Sequence, residues 1–278
     1  MAGGIEVKTP EQILVMRRAG LVVARTLAAL REAATIGVST GELDALARDS
    51  LAAAGADSSF LHYGAGWGIP PFPAVTCISV NDEIVHGIPG ERVLADGDLV
   101  SVDFGAIVDG WHGDAAVSFI VGQPRPNDVD LVETTRQSLW RGIAAARLGG
   151  RVGDISAAVE GFVRQQRRRF GIVREFTGHG IGSAMHQPPD VPNFGKRGRG
   201  PLIVPGLCLA IEPMLTLGGE ATAVLDDAWT VVTRDSSRAC HWEHTMTVTA
   251  NGIWVLTAED GGEAELAAIG APFGPLAD

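Results

Sequence analysis

Apolar and polar positions in this chain follow two periods, and the switches between them outline the elements. Thr9-Pro10-Glu11-Gln12 reads as a helix start: Thr9 is the N-cap, Pro10 takes the first helical position and Gln12 closes a capping box. That helix is predicted to run to about Ala34 and to stop before Gly37. A second starts near Thr40 and ends at Gly55. The plan then repeats, with a helix over 127–147, a break at Gly149-Gly150, and another helix from Asp154 to Phe170. GVSTGELDALARD (37–49) and GGRVGDISAAVEG (149–161) share one order: a turn, a small acidic helix start, then an apolar stripe. Strands follow each helix pair. The expectation is a single α+β domain spanning 1–278 in two similar halves, about 9–125 and 126–257. Residues 258–278 are rich in Gly, Pro and acid and read as a loose C-terminal tail.

The strand pattern is sharpest at 99–108 (LVSVDFGAIV) and 111–121 (WHGDAAVSFIV). Asp109-Gly110 between them is a two-residue hairpin signal of type I′. With that turn, Val108 pairs with Trp111 and Asp114 with Gly105. Side chains alternate faces, so Asp103, Gly105 and Asp114 share one face. The two aspartates become diagonal neighbours, about 7–8 Å apart at the backbone. A lone pair of this kind is more simply two solvated hairpin charges; other residues change that reading.

Glu212 ends the apolar run Leu207–Ile211, and Asp103 follows Val100-Ser101-Val102. A carboxylate buried in such a strand costs about several kcal/mol unless a cation meets it. No Lys or Arg lies close in sequence to either. A metal ion answers this most simply, although a distant Arg would also serve. Asp103, Asp114, His179, Glu212 and Glu243 together read as one ligand set. Its four carboxylates are neutralised by two dications, which points to a dinuclear site with bridging carboxylates. Oxygen-rich ligation with one imidazole suits Mn, Fe, Co or a hydrolytic Zn better than a thiolate-type zinc site.

Composition narrows the class. A hydrophobic fraction of 46% excludes a disordered chain, and a net charge of −11 argues against DNA or other nucleic acid as the main ligand. The three cysteines, Cys77, Cys208 and Cys240, are odd in number and not closely spaced, which fits a reducing cytoplasm. MAGGIEVKTPEQ has no apolar core of the kind a signal peptide needs. The uncharged stretch 63–81 is broken by Gly and Pro, so no membrane span is expected.

VNDEIVHGIPG (80–90), SVDFGAIVDGWHGDAA (101–116), TGHGIGSAMHQPP (177–189), AIEPM (210–214) and HWEHTMTVT (241–249) occur in one order. In this the chain resembles the type I methionine aminopeptidases, from about residue 5 to residue 257. The resemblance implies the pita-bread fold, two pseudo-symmetric α/β halves around a dinuclear site. It implies removal of the initiator methionine from nascent polypeptides when the second residue is small. Asp114 and Glu243 would bridge the ions, Asp103 would complete one, and His179 with Glu212 the other. Glu212 would also be the general base. Taken alone, His86 reads as a core histidine and His186 as a loop histidine. The resemblance places both in the cleft, His86 near the scissile amide and His186 at the substrate carbonyl. His112, His241 and His244 adjoin ligands and read as structural.

Methionine is long and polarizable, so its pocket should be apolar with soft or aromatic walls. The matching positions are Phe60, Tyr63, Phe72, Cys77, Met185 and Trp229; each alone also fits ordinary core packing. Three departures stand out against the resemblance: Phe60 replaces a small thiol, Ala65–Pro71 reads as an insertion in the pocket loop, and Gln187 replaces a frequent Glu. Asn81 matches a monovalent-cation position of the family. The Arg-rich stretches Arg164–Arg174 and Lys196–Arg199 read first as solvated surface and second as a patch for the ribosome. A monomer is expected. Two alternatives are weighed: an X-prolyl aminopeptidase or prolidase, which carries a large extra N-terminal domain not seen here, and a non-catalytic binding protein of the same fold, disfavoured by five intact ligands. The spacing of His179 and Glu212 leaves no room for the insertion of the type II enzymes.

Overall fold

A computed structural model describes residues 4–276. Two helices open it, α1 (Pro10–Ala33) and α2 (Thr40–Ala54). Strands β1 (Asp57–Ser58), β2 (Thr76–Val80) and β3 (Glu83–Val85) lead to the hairpin β4 (Leu99–Val108) and β5 (Trp111–Ile120). Helices α3 (Pro126–Ala145) and α4 (Val152–Arg164) form a second pair. Strands β6 (Gly171–Ile172), β7 (Gly178–Gly180), β8 (Gln187–Val191), β9 (Cys208–Ile211) and β10 (Met214–Thr216) follow. They are succeeded by β11 (Thr222–Val224), β12 (Val231–Thr233), β13 (Ala239–His241), β14 (Glu243–Val248) and β15 (Ile253–Val255), then helix α5 (Glu263–Ala268).

Local chemistry accounts for the boundaries. Thr9 accepts from the Gln12 N–H while the Gln12 side chain accepts from the Thr9 N–H, and Ser39 with Glu42 repeats the device on α2. Gly55 ends α2 in the left-handed region, at φ 61°. Asp109 and Gly110 have φ of 48° and 80°, the two positive values a type I′ turn requires, and Val108 pairs with Trp111 as the spacing predicts. The fourth helix stops at Arg164, short of Phe170: Arg167–Arg169 are exposed, while Phe170 is buried at the entry to β6.

The main sheet is antiparallel throughout, in the order β1-β4-β5-β14-β9-β7-β8, with β2 also on β4 and β15 on β14. Two three-stranded sheets, β13-β10-β6 and β11-β12-β3, flank it. One apolar core joins α1 and α2 to β2, β4 and β5 through Leu27, Leu43, Ile78 and Phe104. Another joins α3 and α4 to β9, β14 and β15 through Leu139, Ile155, Leu209 and Met246. Helix α1 lies close on β5: a Cβ at Gly113 would stand 2.8 Å from the Gly20 nitrogen, so only glycine permits this approach.

The expected loose tail is corrected. Residues 263–268 are helical and Leu266 is fully buried. Phe273 forms a bridge with Ile253 and packs on the second core. A few apolar side chains, Leu266, Ile269 and Phe273, dock this Ala-, Glu- and Gly-rich segment on the core, a contribution that composition averages away. Asp278, within that tail, lies outside the described residues.

Candidate metal centre

Register brings the five expected ligands to one face of the main sheet. Asp103 on β4 lies opposite Ala116 on β5, and Ala116 lies opposite Glu243 on β14. Asp114 precedes Ala116 by two and shares its face. Glu243 shares a face with Thr245, which lies opposite Ala210 on β9, which lies opposite His179 on β7. Glu212, two residues beyond Ala210, completes the set. Small residues (Ala116, Ala210, Gly105) separate the ligands and leave room for them to converge. Thr245 anchors the row: its Oγ1 accepts from the Asp114 N–H at 3.1 Å and donates to the Asp114 carbonyl at 2.8 Å.

Asp114, His179 and Glu243 each offer an atom lying within 4.8 Å of the others, as do Glu212, His241 and Glu243. Glu243 therefore belongs to both groups. Asp103 lines the same cleft. The Nδ1–H of His179 donates to the Gly180 carbonyl at 3.0 Å. A carbonyl only accepts, so the proton sits on Nδ1 and Nε2 offers its lone pair to the cleft, the arrangement of a metal-binding imidazole. That Nε2 is 3.5 Å from Glu212 Oε1. Gly178 lets the backbone before His179 press on Ala210 and Val191, where a Cβ would collide.

The charges are unbalanced. Among the described residues the only ion-pair partners of the four carboxylates are His179 and His241, both made neutral by burial, which lowers each to about 3. Burial and mutual repulsion push Asp103, Glu212 and Glu243 well above the usual carboxylate range, and burial pushes Asp114 up to about 7. Asp103 Oδ1, Asp114 Oδ1, Glu243 Oε1 and His241 Nε2 are buried without a hydrogen-bond partner. Buried oxygens that nothing else satisfies, converging beside neutral imidazoles, fit divalent cations.

The six expected pocket residues also come together. Phe60, Phe72, Cys77, Met185 and Trp229 form one apolar cluster with Ala74, and Tyr63 packs on it. With the ligands they line a cleft of about 320 Å³ that also holds His86 and His186. The Tyr63 hydroxyl is 2.6 Å from His186 Nδ1, and the His186 and His179 rings are 4.2 Å apart. His86, at φ 59°, stands edge-on to Phe176 and Trp229. Burial lowers His86 and His186 to about 4, so both are neutral near pH 7. The 65–71 stretch caps the pocket: Trp67 packs edge-on to Tyr63, and Trp229 Nε1 donates to the Pro70 carbonyl at 2.8 Å.

Other expectations find their places. His112 is held by Ser59 and His244 by Thr257, both at 2.9 Å. Asn81 bonds Asp98 and the Leu99 N–H through its side chain. The Arg-rich run is partly neutralised, by Glu160 on Arg164, Asp130 on Arg168, and Glu160 with Glu220 on Arg174. His241, read from the sequence as structural, also lines the cleft. It stands two residues before Glu243 in the same sequence parity, a signal that pointed at the cleft.

Fold and site together define a metal-dependent hydrolase. The profile of metallopeptidase family M24 matches residues 15–250, and the chain belongs to that family. Methionine aminopeptidase 1 of Mycobacterium tuberculosis (strain CDC 1551 / Oshkosh) is 51% identical over 247 residues, 87% of this chain and 91% of that one. Methionine aminopeptidase 1 of Bacillus subtilis (strain 168) is 42% identical over 250 residues, 90% of this chain and 98% of that one. A crystal structure of methionine aminopeptidase from Thermotoga maritima superposes with a TM-score of 0.88 at 38% identity, covering 92% of this chain and all of that one. Prolidase from Pyrococcus furiosus shares the pita-bread fold at a TM-score of 0.70 and 20% identity, with 90% of this chain covering 65% of that one.

Proposed function

We propose that this chain is a methionine aminopeptidase: it hydrolyses the first peptide bond of polypeptides that begin with methionine and carry a small second residue. One observation carries the reading. An apolar pocket with aromatic, thiol and thioether walls opens directly onto a cluster of four carboxylates and His179. An unbranched, polarizable side chain fits such walls. The X-prolyl reading is weaker, because identity to the prolidase is 20% and to the two methionine aminopeptidases 42% and 51%. A non-catalytic role leaves the unsatisfied carboxylates without purpose.

Asp103, Asp114, His179, Glu212 and Glu243 would hold two divalent ions, of Co, Mn, Fe or Zn, whose combined charge balances the four carboxylates. Bound there, such ions supply Lewis acidity and a water acidic near neutrality. Glu212 receives the proton of the attacking water and returns it to the leaving amine. In the His186 tautomer that carries its proton on Nε2, where it would meet the substrate carbonyl as charge develops, Nδ1 accepts from the Tyr63 hydroxyl. His86 hydrogen-bonds at the scissile amide. Phe60, Tyr63, Phe72, Cys77, Met185 and Trp229 hold the methionine side chain. Three buried, unbridged cysteines fit work in a reducing cytoplasm. No helix of the described residues is long and apolar enough to cross a membrane.

Purified protein with titrated Co or Mn and synthetic peptides provides the test. Met-Ala, Met-Gly and Met-Ser starts should be cleaved roughly 10–200-fold faster than Met-Leu, Met-Lys and Met-Phe starts. Equal rates across the series, or faster release of Leu than Met, would reject initiator-methionine removal.

A further inference from the structure

His241 has the burial of a core residue but lacks a core residue's partner. It is 2% exposed, and its Nε2 meets no hydrogen-bond acceptor or donor. Its backbone is held firmly: the His241 N–H donates to Ser118 Oγ at 3.2 Å and Ser101 Oγ at 3.3 Å, and Ser118 Oγ donates to the His241 carbonyl at 2.6 Å. Pairing of β13 with β10 sets His241 opposite Met214. The ring therefore enters the cleft from a second sheet, above the face that bears the other ligands.

The distances at Nε2 identify its role. Glu212 Oε2 is 3.5 Å away and Glu243 Oε2 3.8 Å away. Both exceed the roughly 2.7–3.2 Å of a hydrogen bond. They match two ligands of one ion: donor atoms about 2.0–2.2 Å from a metal stand about 2.8–3.8 Å apart at angles of 90–120°. His179 supplies an internal standard, since its Nε2 is also 3.5 Å from Glu212, at Oε1. Each oxygen of Glu212 thus faces one imidazole.

We propose that His241 Nε2 is a metal ligand, so that the centre is built from four carboxylates and two imidazoles. The inference rests on the M24 reading of the site. A second nitrogen donor shifts preference from Mn, which favours oxygen, toward Co, Fe or Zn.

Cobalt-loaded wild-type protein, His241→Gln and His179→Gln are compared by X-ray absorption, which counts imidazoles through their outer-atom scattering, and by competition titration of Co against Mn. Wild type should show two imidazoles per centre and each variant one. His241→Gln should lose Co affinity at least about tenfold, with a smaller loss for Mn. Wild-type protein alone decides the point if the variants fail to fold, because a single imidazole there overturns the proposal. An unchanged count and Co affinity in folded His241→Gln also overturns it. Failure of wild type to bind cobalt would overturn the metal chemistry of the whole site as well, an outcome distinct from a count of one.

Discussion

At the residue scale the site depends on protons being in assigned places. His179 and His186 are neighbours with different second partners, a carbonyl for one and the Tyr63 hydroxyl for the other. The carbonyl fixes the His179 tautomer; the hydroxyl can serve His186 in either direction. If Tyr63 donates, His186→Ala lowers kcat by roughly 10²–10⁴-fold, the range for a lost oxyanion donor, and keeps its metal. Tyr63→Phe should then reproduce part of that loss. Steady-state kinetics with metal analysis checks both, and metal loss from His186→Ala would mean it belongs among the ligands.

At the element scale, the N-terminal segment braces the loop that carries His186. Glu6 accepts from the Ser183 N–H at 3.1 Å, the Ser183 hydroxyl at 2.7 Å and the Gln187 amide at 2.8 Å, and pairs with buried Lys8 at 3.4 Å. The departure at 187 has its physical reason here, because a glutamate would repel Glu6 where the amide donates to it. Burial raises Glu6, but the hydrogen bonds and Lys8 prevail and bring it from 4.5 down to about 2. A depressed carboxylate contributes stability above its unfolded value and loses it as pH falls through the folded one. Glu6→Gln should therefore cost about 1–2 kcal/mol at pH 7, discounted for partial exposure. The gap to wild type should close between about pH 4.5 and pH 2. Denaturant melts of both proteins across that range test it, and a gap independent of pH would rule out the ionised form as the stabilising one.

At the scale of the molecule, the proposed ligands tie together distant parts of the chain. Asp103 and Asp114 come from the hairpin after the first helix pair; His179 and Glu243 come from strands after the second, and Glu212 from the end of one. Without cations the four carboxylates repel one another in a buried cleft, so ions bound there stabilise the fold. A free-ion concentration a hundredfold above Kd adds about 2.7 kcal/mol. At about 2–4 °C per kcal/mol, metal should raise the Tm of chelator-stripped protein by roughly 5–10 °C. Thermal melts with and without Co or Mn check this, and identical Tm values would remove the metal centre.

What the sequence by itself determined was local. The Thr9–Gln12 box, the Asp109-Gly110 turn and the shared face of Asp103 and Asp114 follow from torsional preference and a period of two, which act over a few residues. That the expected pocket and ligand residues would gather in one cleft was also legible, through motifs whose order matches a known family. Tertiary structure alone decided the rest. The sheet order β5-β14-β9-β7 sets Glu243 and Glu212 beside the aspartates, since pairing between distant strands depends on which apolar faces bury together. Leu266 and Phe273 dock the tail through contacts that composition does not register. His241 turns its Nε2 toward Glu212 because β13 leaves the main sheet to pair with β10, and such a side-chain direction is set only once both sheets are packed.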